Sequence, residues 1–487
     1  MSEPTVIMVT SNGVGAGHLI RASAIARSLQ PKARPVIFSM AYSVVEVCSA
    51  LGLACEYVPS REKKLMSKRK WDKYLRDRLV ALIDETNATV VTFDGVVPYP
   101  GIVSAKFLRP KVNFVWIRRG MWQRKPQGLA LGLQSKLMDY VIEPGDVARE
   151  ADTGPTKSRK EALLTSPVSL YRPEKTMTRE GARAFLGLNP QRPAVLVQMG
   201  VGSTDLDVRV SAVIRGLQGW DDLQIVMPRE PKDSDGNSLI PDDMTVKTIR
   251  YFPLADVLHA FDAAICAAGY NSVHEVIPAG IPTLLIANNR GTDDQFARGK
   301  WCADAGLTLH ADNNSLKDIE YQTSKLQQPS IRQGLIENCR QVITFDGSEQ
   351  ISEILGFLLH ERYSSLIFKR LHYQRFLLIN ALARSPRFYA RRFVNFALRS
   401  AAIILRTVRP HNDLIVPESE VIFSDSRDYK LLDPYIRKQE RFEHLIQNTS
   451  ESYLQTRVEI VNNAYGPVAK KDLKESLESL GLIKIAS

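Results

Sequence analysis

A chain of 487 residues is too long for one hydrophobic core, so two or three domains are expected. Hydrophobic residues at 44% and charged ones at 24% fit a globular soluble chain and exclude a disordered or fibrous one. The net charge of +11 is concentrated, because residues 361–410 hold eleven Lys or Arg against one acid, Glu361, and the rest is nearly neutral.

Five scattered cysteines, Cys48, Cys55, Cys266, Cys302 and Cys339, show no metal or redox spacing and fit a reducing compartment. The N-terminal MSEPTVIMVTSNG has neither a basic leader nor a long apolar core, so no secretory signal is expected. No apolar run reaches the ~18 residues that span a bilayer.

Val6 to Thr10 reads as a buried strand. It leads into Ser11-Asn12-Gly13-Val14-Gly15-Ala16-Gly17-His18 and a helix with Ile20, Ala24, Ile25 and Leu29 at helical spacing. A glycine loop between strand and helix offers backbone N–H groups to a phosphate. The spacing is G-x-G-x-G, and the next strand, Pro35 to Ser39, lacks the acid that a dinucleotide fold places on its ribose. An NAD enzyme is disfavoured.

Residues 61–85 open with basic residues and continue as an amphipathic helix carrying Trp71, Tyr74, Leu75, Leu79, Leu82 and Ile83. That helix reads either as a solvated face or as a contact for lipid head groups. Thr89 to Phe93 is a strand ending in Asp94, a carboxylate able to orient a histidine or simply to serve a turn. Val112 to Ile117 runs into Arg118-Arg119, and Asp139 to Glu143 is a further strand. The two arginines suit either an acceptor phosphate or an ion pair at an interdomain rim.

From Pro144 to about Pro173 the chain turns polar and rich in Pro and Gly, which reads as a linker. A short helix at Arg179 to Leu186 follows, then a strand at Ala194 to Met199 and a second glycine loop, Gly200-Val201-Gly202-Ser203-Thr204. Leu223 to Met227 and Val246 to Tyr251 supply more strands, and Phe252-Pro253-Leu254 follows. Between them Asp233-Ser234-Asp235-Gly236-Asn237 imitates an EF-hand, but Ser238 and Met244 stand where glycine and glutamate are required. It reads as a surface loop.

Ala263 to Ala267 is a strand, Gly269-Tyr270-Asn271-Ser272 a turn, and Ser272 to Ala279 a short helix capped by Asn271 or Ser272. A strand at Thr283 to Ala287 and a polar loop ending in Asp294-Gln295 complete the stretch. Helix N–H groups near Gly269 suit a phosphate, Glu275 a ribose and the Asp294-Gln295 pair a sugar's hydroxyls. A helix then runs to about Asp304, Leu307 to His310 is a strand, and helices from Ser315 to about Leu359 close the domain.

In residues 359–410, Arg384, Arg387, Arg391, Arg399, Arg406 and Arg409 share one side of a helix, with Tyr389, Phe393, Ala397, Ala401, Ile404 and Val408 opposite. That pattern describes a helix lying on an anionic membrane surface; a helix packed on the protein and an RNA-binding helix are the alternatives. Residues 411–487 show no chemistry.

The constellation Gly269, Glu275, Asp294 and Gln295 resembles the donor site of GT-B glycosyltransferases, above all the family of the bacterial enzyme that adds N-acetylglucosamine to lipid I. The resemblance implies an α/β chain of two facing doubly wound Rossmann-like domains, residues 1–165 on the acceptor side and 175–358 on the donor side. A partly helical, basic C-terminal extension follows. It implies transfer of a sugar from a nucleoside diphosphate, UDP first among the candidates, to a hydroxyl acceptor, with inversion and without a metal or other cofactor. His18 would be the base, with Asp94 as its partner. Gly15, Gly17, Arg118, Gly202, Ser203, Phe252, Gly269, Asn271, Ser272, Glu275, Asp294 and Gln295 would bind substrates. The extension suggests a lipid-linked or surface-polysaccharide acceptor on the cytoplasmic side of the membrane, and no nucleic acid. Relatives commonly carry proline three residues after the histidine, where this chain has Arg21. A non-catalytic subunit and a nucleotide-sugar epimerase on the same fold are the competing functions.

Overall fold

In the computed structural model the described residues are 3–360, apart from 13–15, 61–66, 124–130, 132–133, 158, 201–204, 229–243 and 343–345. The basic segment 361–410, the stretch 411–487, the Asp233–Asn237 loop and the site candidates Gly15, Gly202 and Ser203 lie outside them.

Two parallel sheets carry the chain. The first has the order β3-β2-β1-β4-β5-β6-β7, from β1 (Thr5–Thr10), β2 (Arg34–Ser39), β3 (Ala54–Tyr57), β4 (Val90–Asp94), β5 (Asn113–Ile117), β6 (Tyr140–Pro144) and β7 (Ala162–Thr165). The second has the order β10-β9-β8-β11-β12-β13, from β8 (Ala194–Gln198), β9 (Gln224–Met227), β10 (Thr245–Thr248), β11 (Ala263–Ala267), β12 (Thr283–Ile286) and β13 (Leu309–Ala311). Most of the central strands are buried on both faces, which is why they read as unbroken apolar runs.

Two strands escaped the apolar reading. β7 falls inside the expected linker, because it is a sheet-edge strand with Leu163 and Leu164 facing outward and Pro nearby. β3 carries a charge at Glu56, which is buried where Arg78 donates to it through two nitrogens, each at 2.6 Å.

Helices α1 (Gly17–Leu29), α2 (Val44–Leu51), α3 (Lys68–Thr86) and α4 (Pro100–Leu108) serve the first sheet. In α3, Ser67 caps the N-terminus and Asn87 in the left-handed conformation ends it. Its face of Trp71, Tyr74, Leu75, Leu79, Leu82 and Ile83 is buried in the core, so this face is not offered to lipid head groups. The second half uses α5 (Arg179–Leu186), α6 (Leu206–Leu217), α7 (Tyr270–Val276), α8 (Gln295–Asp304), α9 (Leu316–Lys325) and α10 (Pro329–Cys339).

The last described helix, α11 (Gly347–Leu358), returns to the first half and lies against α1. Lys32 Nζ donates to Ser352 Oγ at 3.1 Å, and Asn113 Nδ2 to the Leu358 carbonyl at 3.0 Å. Gly347 makes the crossing close: a Cβ there would sit 2.0 Å from the Ser166 carbonyl. No described helix is long and apolar enough to cross a membrane.

Candidate functional site

Strand order alone marks two crevices. In the first sheet the winding reverses between β1 and β4, and in the second between β8 and β11. Ligands of open parallel sheets bind at the carboxyl ends of strands where the order reverses. The start of the helix after β1 meets the start of the helix after β11 across the interdomain cleft, where Asn271 Nδ2 donates to the Gly17 carbonyl at 3.1 Å.

On the first side, His18 opens α1 and Asp94 ends β4. His18 Nδ1 lies 2.7 Å from Asp94 Oδ1. The backbone fixes this pairing, since Ser11 N–H donates to the Asp94 carbonyl at 2.9 Å. Gly95 permits it, because a Cβ there would meet the Phe93 ring at 2.4 Å and Ser11 Oγ at 2.8 Å. A carboxylate only accepts, so Nδ1 carries the proton and Nε2 is the nitrogen left to act as a base.

Arg21, the departure from the expected proline, does not break this pair. Its Nε donates to Asp94 Oδ2 at 2.8 Å and one Nη to Oδ1 at 2.5 Å. Burial alone would raise the Asp94 carboxyl, but Arg21 and the His18 hydrogen bond hold it below its ordinary range. Burial lowers the His18 imidazole despite Asp94, with Arg21 and Arg119 pushing the same way.

On the second side, β11 runs into α7 with Gly269 as the cap, not Asn271 or Ser272 as the sequence suggested. The helix starts two residues early because Tyr270 is pinned: its hydroxyl donates to the Gly145 carbonyl and accepts from Val168 N–H, each at 2.9 Å. Asn271 is used across the cleft instead. Gly269 has φ −74°, so its backbone does not demand glycine. A Cβ there would meet only Gln295 Nε2, at 3.7 Å.

Glu275 and Ser272 stand three residues apart on α7, hence on one face. Both are half-buried, and neither side chain has a hydrogen-bond or ion-pair partner among the described residues. Burial pushes the Glu275 carboxyl up to about 8, with Asp256 adding like charge. A carboxylate without a partner in a partly closed place is suited to hydroxyls brought by a ligand.

The Asp294-Gln295 pair divides. Asp294 Oδ1 caps α8 by accepting from Ala297 N–H at 3.1 Å, and Oδ2 has no partner among the described residues. Gln295 is buried under the Gly269 turn; its Oε1 accepts from Asn288 N–H at 2.9 Å and its Nε2 donates to Asp293 at 3.1 Å. This narrows the expectation for Gln295, since each end of its amide already has a partner in the loop. Phe252 is half-buried against the core and precedes a cis bond to Pro253.

The expectation for Arg118 is corrected. It is fully buried and donates to Glu143 at 3.1 Å, Glu161 at 2.9 Å and Ser135 at 3.2 Å. Its charge is consumed inside the first domain. The rim pairing belongs to its neighbour Arg119, which meets Asp293 at 2.6 Å across the cleft.

Several residues here carried no local signal. Arg298 is buried and donates to Asp146 at 2.9 Å, Asp293 at 3.0 Å and the Ala268 carbonyl at 2.9 Å. His274 donates from Nδ1 to the Tyr270 carbonyl at 2.7 Å and accepts from Val147 N–H at 3.0 Å. Burial lowers it to about 4, against the pull of Asp146. Main-chain bonds add Asp294 N–H to the Met121 carbonyl at 2.9 Å and Gln123 N–H to the Thr292 carbonyl at 3.0 Å. Each joins residues more than a hundred positions apart, so only the folded chain brings them together. No group of three His, Cys, Asp or Glu among the described residues is placed to hold a metal ion.

Residues 213–347 match the glycosyltransferase family 28 C-terminal domain. The UDP-N-acetylglucosamine--N-acetylmuramyl-(pentapeptide) pyrophosphoryl-undecaprenol N-acetylglucosamine transferase of Saccharopolyspora erythraea is 25% identical over 328 residues, covering 63% of this chain and 81% of that protein. The 4'-demethylrebeccamycin synthase of Lentzea aerocolonigenes is 25% identical over 231 residues, covering 47% of this chain and 50% of that one. Among solved structures, the glycotransferase of kitacinnamycin aligns with a TM-score of 0.53 at 15% identity, covering 74% of this chain and 100% of that chain. Spinosyn forosaminyltransferase SpnP does so with a TM-score of 0.53 at 14% identity and the same coverage. The fold is GT-B.

Proposed function

We propose that this chain, a glycosyltransferase of the GT-B fold, moves a sugar from a nucleoside diphosphate, UDP first among the candidates, to a hydroxyl acceptor with inversion. The observation that carries the reading is Glu275: a half-buried acid whose side chain has no partner among the described residues, six residues beyond a glycine that neither the backbone nor the packing requires. A nucleotide's ribose fits the carboxylate, and its diphosphate fits the open N–H groups beside Gly269 and the Ser272 hydroxyl. Asp294 Oδ2 faces the same use for a sugar hydroxyl.

In the reaction the acceptor oxygen attacks the anomeric carbon while its proton passes to His18 Nε2. The bond from the anomeric carbon to the phosphate oxygen breaks, and the diphosphate leaves with the electron pair. One displacement inverts the centre. Main-chain N–H groups at the Gly269 turn meet the leaving charge, the work a divalent metal does elsewhere, so this reading needs no metal. Asp94 holds the imidazole and stabilises it once protonated.

The acceptor in this reading is a lipid-linked or surface-polysaccharide precursor. Two things support it: the undecaprenol-linked acceptor in the printed name of the Saccharopolyspora relative, and the two-faced basic pattern of residues 361–410. The enzyme would then work on the cytoplasmic face, held to anionic lipid.

Thermal unfolding with UDP, GDP, TDP and their sugars, on wild type and Glu275→Ala, tests the donor site. One nucleotide should stabilise the wild type, by about 2.7 kcal/mol at a hundred times its Kd, and lose that effect in the variant. Equal stabilisation of both proteins, or none by any nucleotide, would overturn the reading.

A further inference from the structure

We propose that Arg21 is a positioning residue for His18: clamped between Asp94 and the Tyr270 ring of the opposite domain, it balances the Asp94 charge so that His18 stays unprotonated and free to accept a proton. This rests on the reading of His18 as the base. The geometry is specific. Arg21 is 3% exposed, holds both Asp94 oxygens, and has its guanidinium carbon 5.0 Å from the Tyr270 ring centroid. One of its Nη atoms is also 3.2 Å from His18 Nδ1.

A histidine paired with a buried aspartate alone is drawn towards its charged form, because protonation neutralises the carboxylate. An imidazolium has no lone pair with which to take the acceptor's proton. Adding Arg21 changes the balance. The cluster of His18, Asp94 and Arg21 is already neutral when the imidazole is neutral, so protonation would leave an uncompensated positive charge in a place with little water. Arg119 beyond β5 is a second cation on that side, itself paired with Asp293, whose charge also reaches Arg21, and Tyr270 faces the cluster from α7. Asp94 is thus left to orient the imidazole without also charging it.

Tyr270 ties this to the donor domain. The ring holds the guanidinium face that Asp94 does not use, and the hydroxyl is fixed to Gly145 and Val168. Proline at position 21 could do none of this.

The test follows His18 itself, by NMR titration of the full chain labelled at its histidines, with His18→Gln to assign the signal. Arg21→Gln should raise the His18 midpoint by about one pH unit or more, and Arg21→Lys should leave it near wild type because the charge is restored. The acid limb of kcat/KM should move with it, with kcat changing more than KM. A midpoint that does not move in Arg21→Gln, or that moves equally in Arg21→Lys, overturns the proposal. Should Arg21→Gln not fold, Asp94→Asn is compared with Arg21→Gln/Asp94→Asn. These differ only in the Arg21 charge, and His18 must titrate higher in the double variant; equal midpoints overturn the proposal. The titration needs no turnover, so absence of sugar transfer by wild type would count against the functional reading alone.

Discussion

At the residue scale the telling group is Glu275, where chemistry and surroundings disagree. A carboxyl held near 8 in the folded chain keeps its proton at a pH where the unfolded chain, near the ordinary 4.5, has lost it. The folded state therefore binds more protons between these values, and this group's contribution to stability falls as pH rises through that window. Ribose hydroxyls would reverse the preference, since they donate to the charged form. Nucleotide binding at pH 7 should then release close to one proton, read by calorimetry in buffers of different ionisation enthalpy, and release none in Glu275→Gln. Binding without proton release in the wild type would remove Glu275 from the ribose. The acid itself was legible from its distance to Gly269. Its lack of a partner among the described residues was not, because that depends on where the rest of the chain places its donors.

At the scale of elements, the turn from β11 into α7 holds a glycine that neither its backbone angle nor its packing demands, unlike two glycines elsewhere in the fold. Gly95 and Gly347 have backbone or ring atoms within 2.0–2.4 Å of a would-be Cβ, and Gly269 has nothing closer than 3.7 Å. Gly269→Ala should change the midpoint of thermal unfolding by no more than a degree or two while weakening nucleotide binding at least tenfold, measured by titration calorimetry. A variant that binds as well as wild type would show that no ligand backbone comes close there. The strand–loop–helix order of this element was readable from its apolar run and glycine, but its first residue was not. Tyr270 enters the helix because two main-chain groups outside the element hold its hydroxyl. Arg118 failed for the same kind of reason: two adjacent arginines look equivalent in sequence, and the ends of β5 and β6 bury one and leave the other on the rim.

At the scale of the whole molecule, the cleft is held by buried charge. Asp293 lies between Arg119 of the first domain and Arg298 of the second, and Asp146 joins Arg298 from the other side. Burial would raise the Asp293 carboxyl, and the two guanidinium groups hold it well below its ordinary range instead. Arg298→Met should cost about 3–5 kcal/mol in urea unfolding, because Asp146 and Asp293 stay buried with less compensation. Lys300→Met, which removes an exposed pair with Asp304, should cost no more than about 0.5 kcal/mol. Similar values for the two would mean that the cleft charges are not what joins the halves.

Apolar runs, glycine turns and strand-end acids are local signals, so the two sheets, the crevice loops after β1 and β11, and the candidates His18 and Asp94 could be read from the chain alone. Only the tertiary structure decided which charges are spent inside. Arg118 is consumed by the protein, Arg21 and Arg119 serve the cleft, and the Glu275 side chain has no partner among the described residues. The physical reason is that a polar side chain's availability is set by the donors and acceptors that other parts of the chain bring within about 3 Å, and distance along the sequence says nothing of those.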